Sequence, residues 1–115
     1  MNAVIDERTL REIYLTGFEI AVKEGKTKAI MSSYNEVNGT YAHENKHLLT
    51  DILRDDWGFE GAVISDWGGS NDVVRSVQAG GNLEMPCPGL GSARLIVDAV
   101  KGGELPEEVL DQRVY

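Results

Sequence analysis

Trp57-Gly-Phe-Glu-Gly-Ala-Val-Ile-Ser-Asp-Trp67 is the stretch that decides how this chain folds. Ala62, Val63 and Ile64 form a short run that is apolar at every position. It is entered from Gly61 and left through Ser65, Asp66, Trp67, Gly68 and Gly69. A strand with one wet face alternates apolar with polar residues, whereas one apolar throughout is covered on both faces, as in a parallel sheet flanked by helices. The run predicts a buried strand ending in polar residues.

The flanking text supplies the helices. Between Asp6 and Glu24 the residues Leu10, Ile13, Tyr14, Phe18, Ala21 and Val22 recur at helical spacing, with Asp6 placed to cap the helix and Gly25 to stop it. Ala29, Ile30 and Met31 form a second apolar run, predicting a buried strand that leads through Asn35 into a loop with the turn signal Asn38-Gly39. A second helix is predicted near His43 to Asp56, closed by Gly58. Beyond Asp66 the pattern gives a helix from Asn71 to Gln78, a strand from Asn82 to Met85, a helix from Ser92 to Lys101, and a last helix opened by Pro106. The class is α/β, with about three parallel strands alternating with helices, either an open sheet covered on both faces or part of a barrel. A whole (β/α)8 barrel takes about 250 residues, so a chain of 115 residues would supply less than half of one.

Composition narrows the partners. A formal net charge of −8 opposes binding to nucleic acid or to an anionic membrane surface. No apolar run approaches the length of a membrane span, and Met1 to Arg8 lacks the order of a secretion signal. The single cysteine, Cys87, excludes an internal disulfide and a Cys-based zinc cage, and fits a cytoplasmic protein. The glycine clusters lack the spacing of a phosphate loop, and no cofactor is expected.

Ligands of α/β sheets and barrels bind at the carboxyl ends of the strands, where the loops converge. Those ends carry Ser32, Ser33, Tyr34 and Asn35 on the first strand, Ser65, Asp66 and Trp67 on the second, and Glu84 and Met85 on the third. A carboxylate beside an aromatic ring suits carbohydrate: the ring stacks on C–H faces while the carboxylate accepts from hydroxyls or attacks the anomeric carbon. Residue types alone equally allow Asp66 to cap the following helix and Trp67 to plug the rim.

Four segments carry a closer likeness: Ala29-Ile-Met-Ser-Ser-Tyr-Asn-Glu-Val-Asn-Gly39, Asn45-Lys-His-Leu-Leu-Thr-Asp-Ile-Leu-Arg54, the opening stretch Trp57 to Trp67, and Asn82-Leu-Glu-Met-Pro86. In order and spacing they resemble the β-glucosidases of glycoside hydrolase family 3, over almost the whole chain from Asp6 onward. The resemblance implies the C-terminal part of that family's N-terminal, barrel-like domain, spanning residues 1–115. It implies that Asp66 is the nucleophile of a retaining glycosidase. Tyr34 matches a tyrosine that reaches toward the nucleophile, and Met31 and Trp67 match residues lining the sugar pocket. The implied substrate is a terminal β-glucoside or an oligosaccharide.

The family also draws a Lys-His pair, an arginine and an aspartate from segments upstream of the first helix, and its acid/base glutamate from a second domain. None of these matches a residue here; Lys46-His47 falls inside a helix. Glu36 and Glu84 are the carboxylates nearest the strand ends, with loop packing and pocket-floor hydrogen bonding as their expected roles. The isolated chain is therefore expected to have negligible glycosidase activity, and to self-associate through exposed sheet edges.

Two other patterns compete. His43-Glu-Asn-Lys-His47 fits the His-Glu-x-x-His form of zinc peptidases, but helical spacing puts His43, His47 and Asp51 opposite Leu48, Leu49, Ile52 and Leu53, facing solvent, so no metal is expected. Asp55-Asp56 resembles the acidic pair of a phospho-acceptor domain, yet it stands at a helix end and cannot gather around Asp66 to hold Mg²⁺. A non-catalytic carbohydrate-binding piece using Trp67 and Tyr34 as a platform is the remaining alternative.

Overall fold

The computed structural model describes residues 1–114. The two apolar runs form strands β2 (Ala29–Met31) and β5 (Ala62–Ile64), paired in parallel with Ile30 opposite Val63 and Met31 opposite Ile64. The third expected strand is reduced to one parallel bridge between Ile64 and Leu83. Its ladder starts normally, with Leu83 N donating to Val63 O and Ser65 N to Leu83 O. Then the Ser65 hydroxyl takes the Met85 N–H at 2.8 Å in place of a backbone carbonyl, and Pro86 has no N–H to continue with.

The Asn38-Gly39 signal makes a tighter structure than a loop. Both residues have positive φ, 51° and 84°, as a two-residue hairpin turn requires. They join β3 (Glu36–Val37) to β4 (Thr40–Tyr41), and β1 (Asn2–Ala3) pairs in parallel with β3. Strands of two residues are too short to leave a period in the sequence.

The first helix is interrupted. Asp6 caps it, accepting from Thr9 N at 3.0 Å, and α1 (Glu7–Thr9) runs into a π-wound turn (Leu10–Tyr14) before α2 (Thr16–Lys23). The Thr16 hydroxyl bonds the Glu12 carbonyl at 2.7 Å and the Arg11 carbonyl at 3.1 Å, occupying acceptors of the interrupted ladder. The second helix divides as well. Ala42–Glu44 form a 3₁₀ turn, Asn45 is extended, and a π-wound helix follows over His47–Asp56. Asn45 starts that helix, its Oδ1 accepting from Leu48 N and its carbonyl from Leu49 N. Downstream, α3 (Val73–Ala79) is capped by Asp72, whose side chain accepts from Val74 N and Arg75 N, and α4 (Leu90–Lys101) and α5 (Glu107–Val114) follow.

Burial concentrates behind β5. Val22, Leu49, Leu53, Phe59, Val63 and Ala79 form one cluster, and Val77, Ala99 and Leu105 a second beneath α4. Val63 is fully buried, but β2 is not the buried strand its composition predicts: Ala29 and Met31 are exposed and Ile30 is half-buried. Among the described residues nothing pairs with the outer edge of β2, so only the β5 side of it is covered.

Candidate functional site

Asp66 stands two residues past the end of β5. Its Oδ1 accepts from Trp67 N at 2.7 Å, and its backbone carbonyl accepts from Gly69 N at 2.9 Å, so the chain doubles back immediately after the carboxylate. Met31 is opposite Ile64 in the ladder, which brings the two strand ends level. Asp66 and Met31 both line an open cleft of about 520 Å³, with Ser32, Ser33 and Asn35 from the first strand end and apolar residues of the first two helical stretches. Tyr34 and Trp67, both more than half exposed, lie outside the lining of that cleft. Among the described residues no hydrogen bond links Tyr34 to Asp66. Gly69 leaves little room between the two strand-end loops, since a Cβ added there would sit 3.4 Å from Ser33 O.

Four consecutive residues brace these loops from behind. Ala42 N donates to Asn35 O at 3.1 Å. His43 Nδ1 meets Ser32 Oγ at 2.8 Å. Glu44 Oε1 accepts from both Asn71 N at 2.9 Å and Asp72 N at 2.7 Å. Asn45 Nδ2 donates to Val37 O at 3.3 Å. His43 is 2% exposed, which corrects the expectation that it faces solvent: it belongs to the 3₁₀ turn ahead of the helix, so the helical angle does not apply to it. Burial without a charged partner pushes its pKa down to about 4. His47 does face outward, 2.9 Å from Glu7 and 3.5 Å from Asp51. The two histidines therefore do not share a face, and among the described residues no group of three or more His, Cys, Asp or Glu could hold a metal ion.

Asp56 pairs with Arg11 at 2.8 Å, away from Asp66. Glu36 takes part in the β3 ladder. Among the described residues the buried Oε2 of Glu84 has no hydrogen-bond partner, so the hydrogen bonding expected of this carboxylate is incomplete there. At the other end of β5, Arg54 holds the Gly61 carbonyl at 3.2 Å, the Gly80 carbonyl at 2.9 Å and Asn82 Oδ1 at 2.8 Å, while its guanidinium lies over the Phe59 ring. Sequence reasoning singled out neither Arg54 nor the Ala42–Asn45 brace. A lone arginine on a helix carries no local sign that its partners are carbonyls, and the pattern around His43 pointed toward zinc instead.

The model of the glycosyl hydrolase family 3 N terminal domain matches residues 2–115. The chain belongs to glycosyl hydrolase family 3. This family 3 chain is 51% identical over 110 residues to a beta-glucosidase of Rhizobium radiobacter, a match covering 96% of the chain and 13% of that protein. It is 46% identical to the thermostable beta-glucosidase B of Acetivibrio thermocellus over 114 residues, 99% of the chain and 15% of that protein. Among solved structures, beta-glucosidase 3B of Thermotoga neapolitana in complex with glucose superposes with a TM-score of 0.95 at 45% identity, over 99% of the chain and 17% of that structure. The family 3 chain thus spans less than a fifth of the length of these relatives. The solved structure supports an α/β fold for the residues matched.

Proposed function

We propose that this chain is the nucleophile-bearing segment of a retaining, exo-acting β-glucosidase, and that its strands are part of a (β/α)8 barrel in the parent enzyme. The observation that carries this is the position of Asp66. It follows a parallel strand, lines the cleft beside Met31 and precedes an exposed tryptophan. An Asp66 oxygen attacks the anomeric carbon as the glycosidic C–O bond breaks. The bonding electrons leave with the aglycone oxygen, which takes a proton from an acid. Water then attacks the same carbon, gives up a proton, and releases sugar of retained configuration with the carboxylate restored. Trp67 and Tyr34 flank the sugar, and Met31 packs against it.

Retention needs an acid about 5 Å from the nucleophile. Glu84 and Glu36 do not match the family's acid, so the donor comes from the parent enzyme outside residues 1–115. The isolated chain is accordingly inactive, and glucosides ending in a β-linked non-reducing glucose are the parent's substrates. A 2-deoxy-2-fluoro glucoside tests the assignment, since it traps the glycosyl-enzyme. Peptide mapping of the inactivated parent enzyme should find the label on Asp66, and Asp66→Asn should abolish labelling and turnover of an aryl β-glucoside. Label on another carboxylate, or turnover by the isolated chain, would sink the reading. Retained sugar binding without any turnover would favour the carbohydrate-binding alternative.

A further inference from the structure

We propose that Glu44 is a positioning residue for this reaction, holding the loop that carries Asp66 and Trp67 in register with the loop that carries Tyr34. The inference rests on the β-glucosidase reading of Asp66. Glu44 is the acidic member of the pattern that resembles a zinc motif, and its carboxylate does something else here.

The loop in question leaves β5 at Ile64 and enters α3 at Val73. Its start is fixed by Ser65, which is fully buried and whose N–H bonds Leu83 O at 2.9 Å. In its middle Trp67 and Gly68 are exposed, Gly68 has a φ of 73°, and Trp67 N is held only locally, by the adjacent Asp66 Oδ1. The far end is held by Glu44, a single carboxylate oxygen receiving the N–H groups of Asn71 at 2.9 Å and Asp72 at 2.7 Å. Hydrogen bonds to an ionised acceptor are roughly twice as strong as neutral ones.

The same short turn grips the other loop. Ala42 N holds Asn35 O, and His43 holds the Ser32 hydroxyl, on either side of Ser33 and Tyr34. The β2–β5 ladder, extended by Ser32 N donating to Ile64 O at 2.9 Å, levels the two strand ends, and beyond it this brace ties the loops that carry the groups around the nucleophile. Glu44 is the link that reaches the Asp66 side. A misplacement of about 1 Å at the point of attack can cost on the order of 100-fold in rate.

Hydrogen exchange read by mass spectrometry on the 115-residue chain tests the holding role. Glu44→Ala should speed exchange of the amides between Asp66 and Asp72 while leaving the β2 and β5 amides unchanged. Glu44→Gln keeps an oxygen that accepts both N–H groups and should stay near the original. In the complete enzyme, Glu44→Ala should lower kcat on an aryl β-glucoside by about 10- to 100-fold with KM changed far less, and Glu44→Gln should restore kcat to within about threefold. Unchanged loop exchange in Glu44→Ala, faster exchange spread evenly over the chain, or a Gln variant as impaired as Ala would overturn the proposal. An unsubstituted complete enzyme that never turns over the glucoside would overturn the activity reading instead, and the exchange data would still judge Glu44.

Discussion

His43 and Ser32 meet inside the protein, imidazole Nδ1 to hydroxyl at 2.8 Å, joining the turn before the second helix to the end of the strand that carries Met31. Both residues are buried, His43 to 2% and Ser32 to 8% exposure. The pair explains why a sequence position that reads as a surface metal ligand is a core residue.

The burial of His43 makes stability depend on pH. Its pKa is lowered from the ordinary 6.5 to about 4, so the unfolded chain takes up the proton first as pH falls. The contribution is complete above pH 6.5 and is lost between there and about 4, reaching about 3 kcal/mol from the 1.36 kcal/mol per pKa unit of linkage. Urea midpoints measured across that window should fall, and the fall should be much shallower in His43→Gln. The lowered carboxyls of Glu7 and Asp51 have ordinary values of 4.5 and 3.8, so their losses come at the acid end of the range.

Gly81 and Gly17 should respond in opposite directions to alanine. A Cβ on Gly81 would lie 2.5 Å from His43 Nε2, and the buried ring cannot move aside without breaking its bond to Ser32. Gly81→Ala should cost about 2 kcal/mol as overpacking. Gly17 lies within α2 with nothing within 4 Å of an added Cβ, so Gly17→Ala should stabilise by about 0.5–1 kcal/mol. Thermal melts of the two variants check both signs.

Arg54 should not be replaceable by lysine. Its planar head reaches the carbonyls of Phe59, Gly61 and Gly80 and Asn82 Oδ1 together, and Asn82 Oδ1 also accepts Val63 N at 2.9 Å. A lysine ammonium lacks that fork. Arg54→Lys is expected to lower stability by about 2–3 kcal/mol in urea denaturation, and a midpoint within experimental error of the original would contradict this.

The isolated chain should self-associate. Ile13, Tyr14, Phe18 and Met31 are each about half exposed or more, and the outer edge of β2 has no strand beside it among the described residues. Apolar surface and an open edge together favour intermolecular pairing. Sedimentation velocity should show mass rising with concentration, reduced by Phe18→Glu. A single monomeric species at every concentration would refute it.

Much of the architecture could be read from neighbouring residues. Asp6 and Asp72 cap helices because their oxygens reach amides two or three residues on, and Asn38-Gly39 turns because both positions tolerate positive φ. The third strand read as Asn82 to Met85 shrank to one bridge because the Ser65 hydroxyl intercepts the Met85 amide. The break at Asn45 was hidden for a similar reason, since a helix and a 3₁₀ turn place apolar residues at nearly the same spacing.

The sequence by itself determined the α/β alternation, the parallel pairing of the two apolar runs, the place of Asp66 past the end of one of them, and the family. Those properties depend on side chains close together along the chain and on the geometry of single elements. Only the tertiary structure decided that His43 is buried, that Glu44 holds the Asn71 and Asp72 amides, that Arg54 ties three carbonyls and an amide oxygen, and that Met31 lies exposed on an open edge. Burial and hydrogen bonding at those positions depend on which distant segments meet, and no local pattern encodes that.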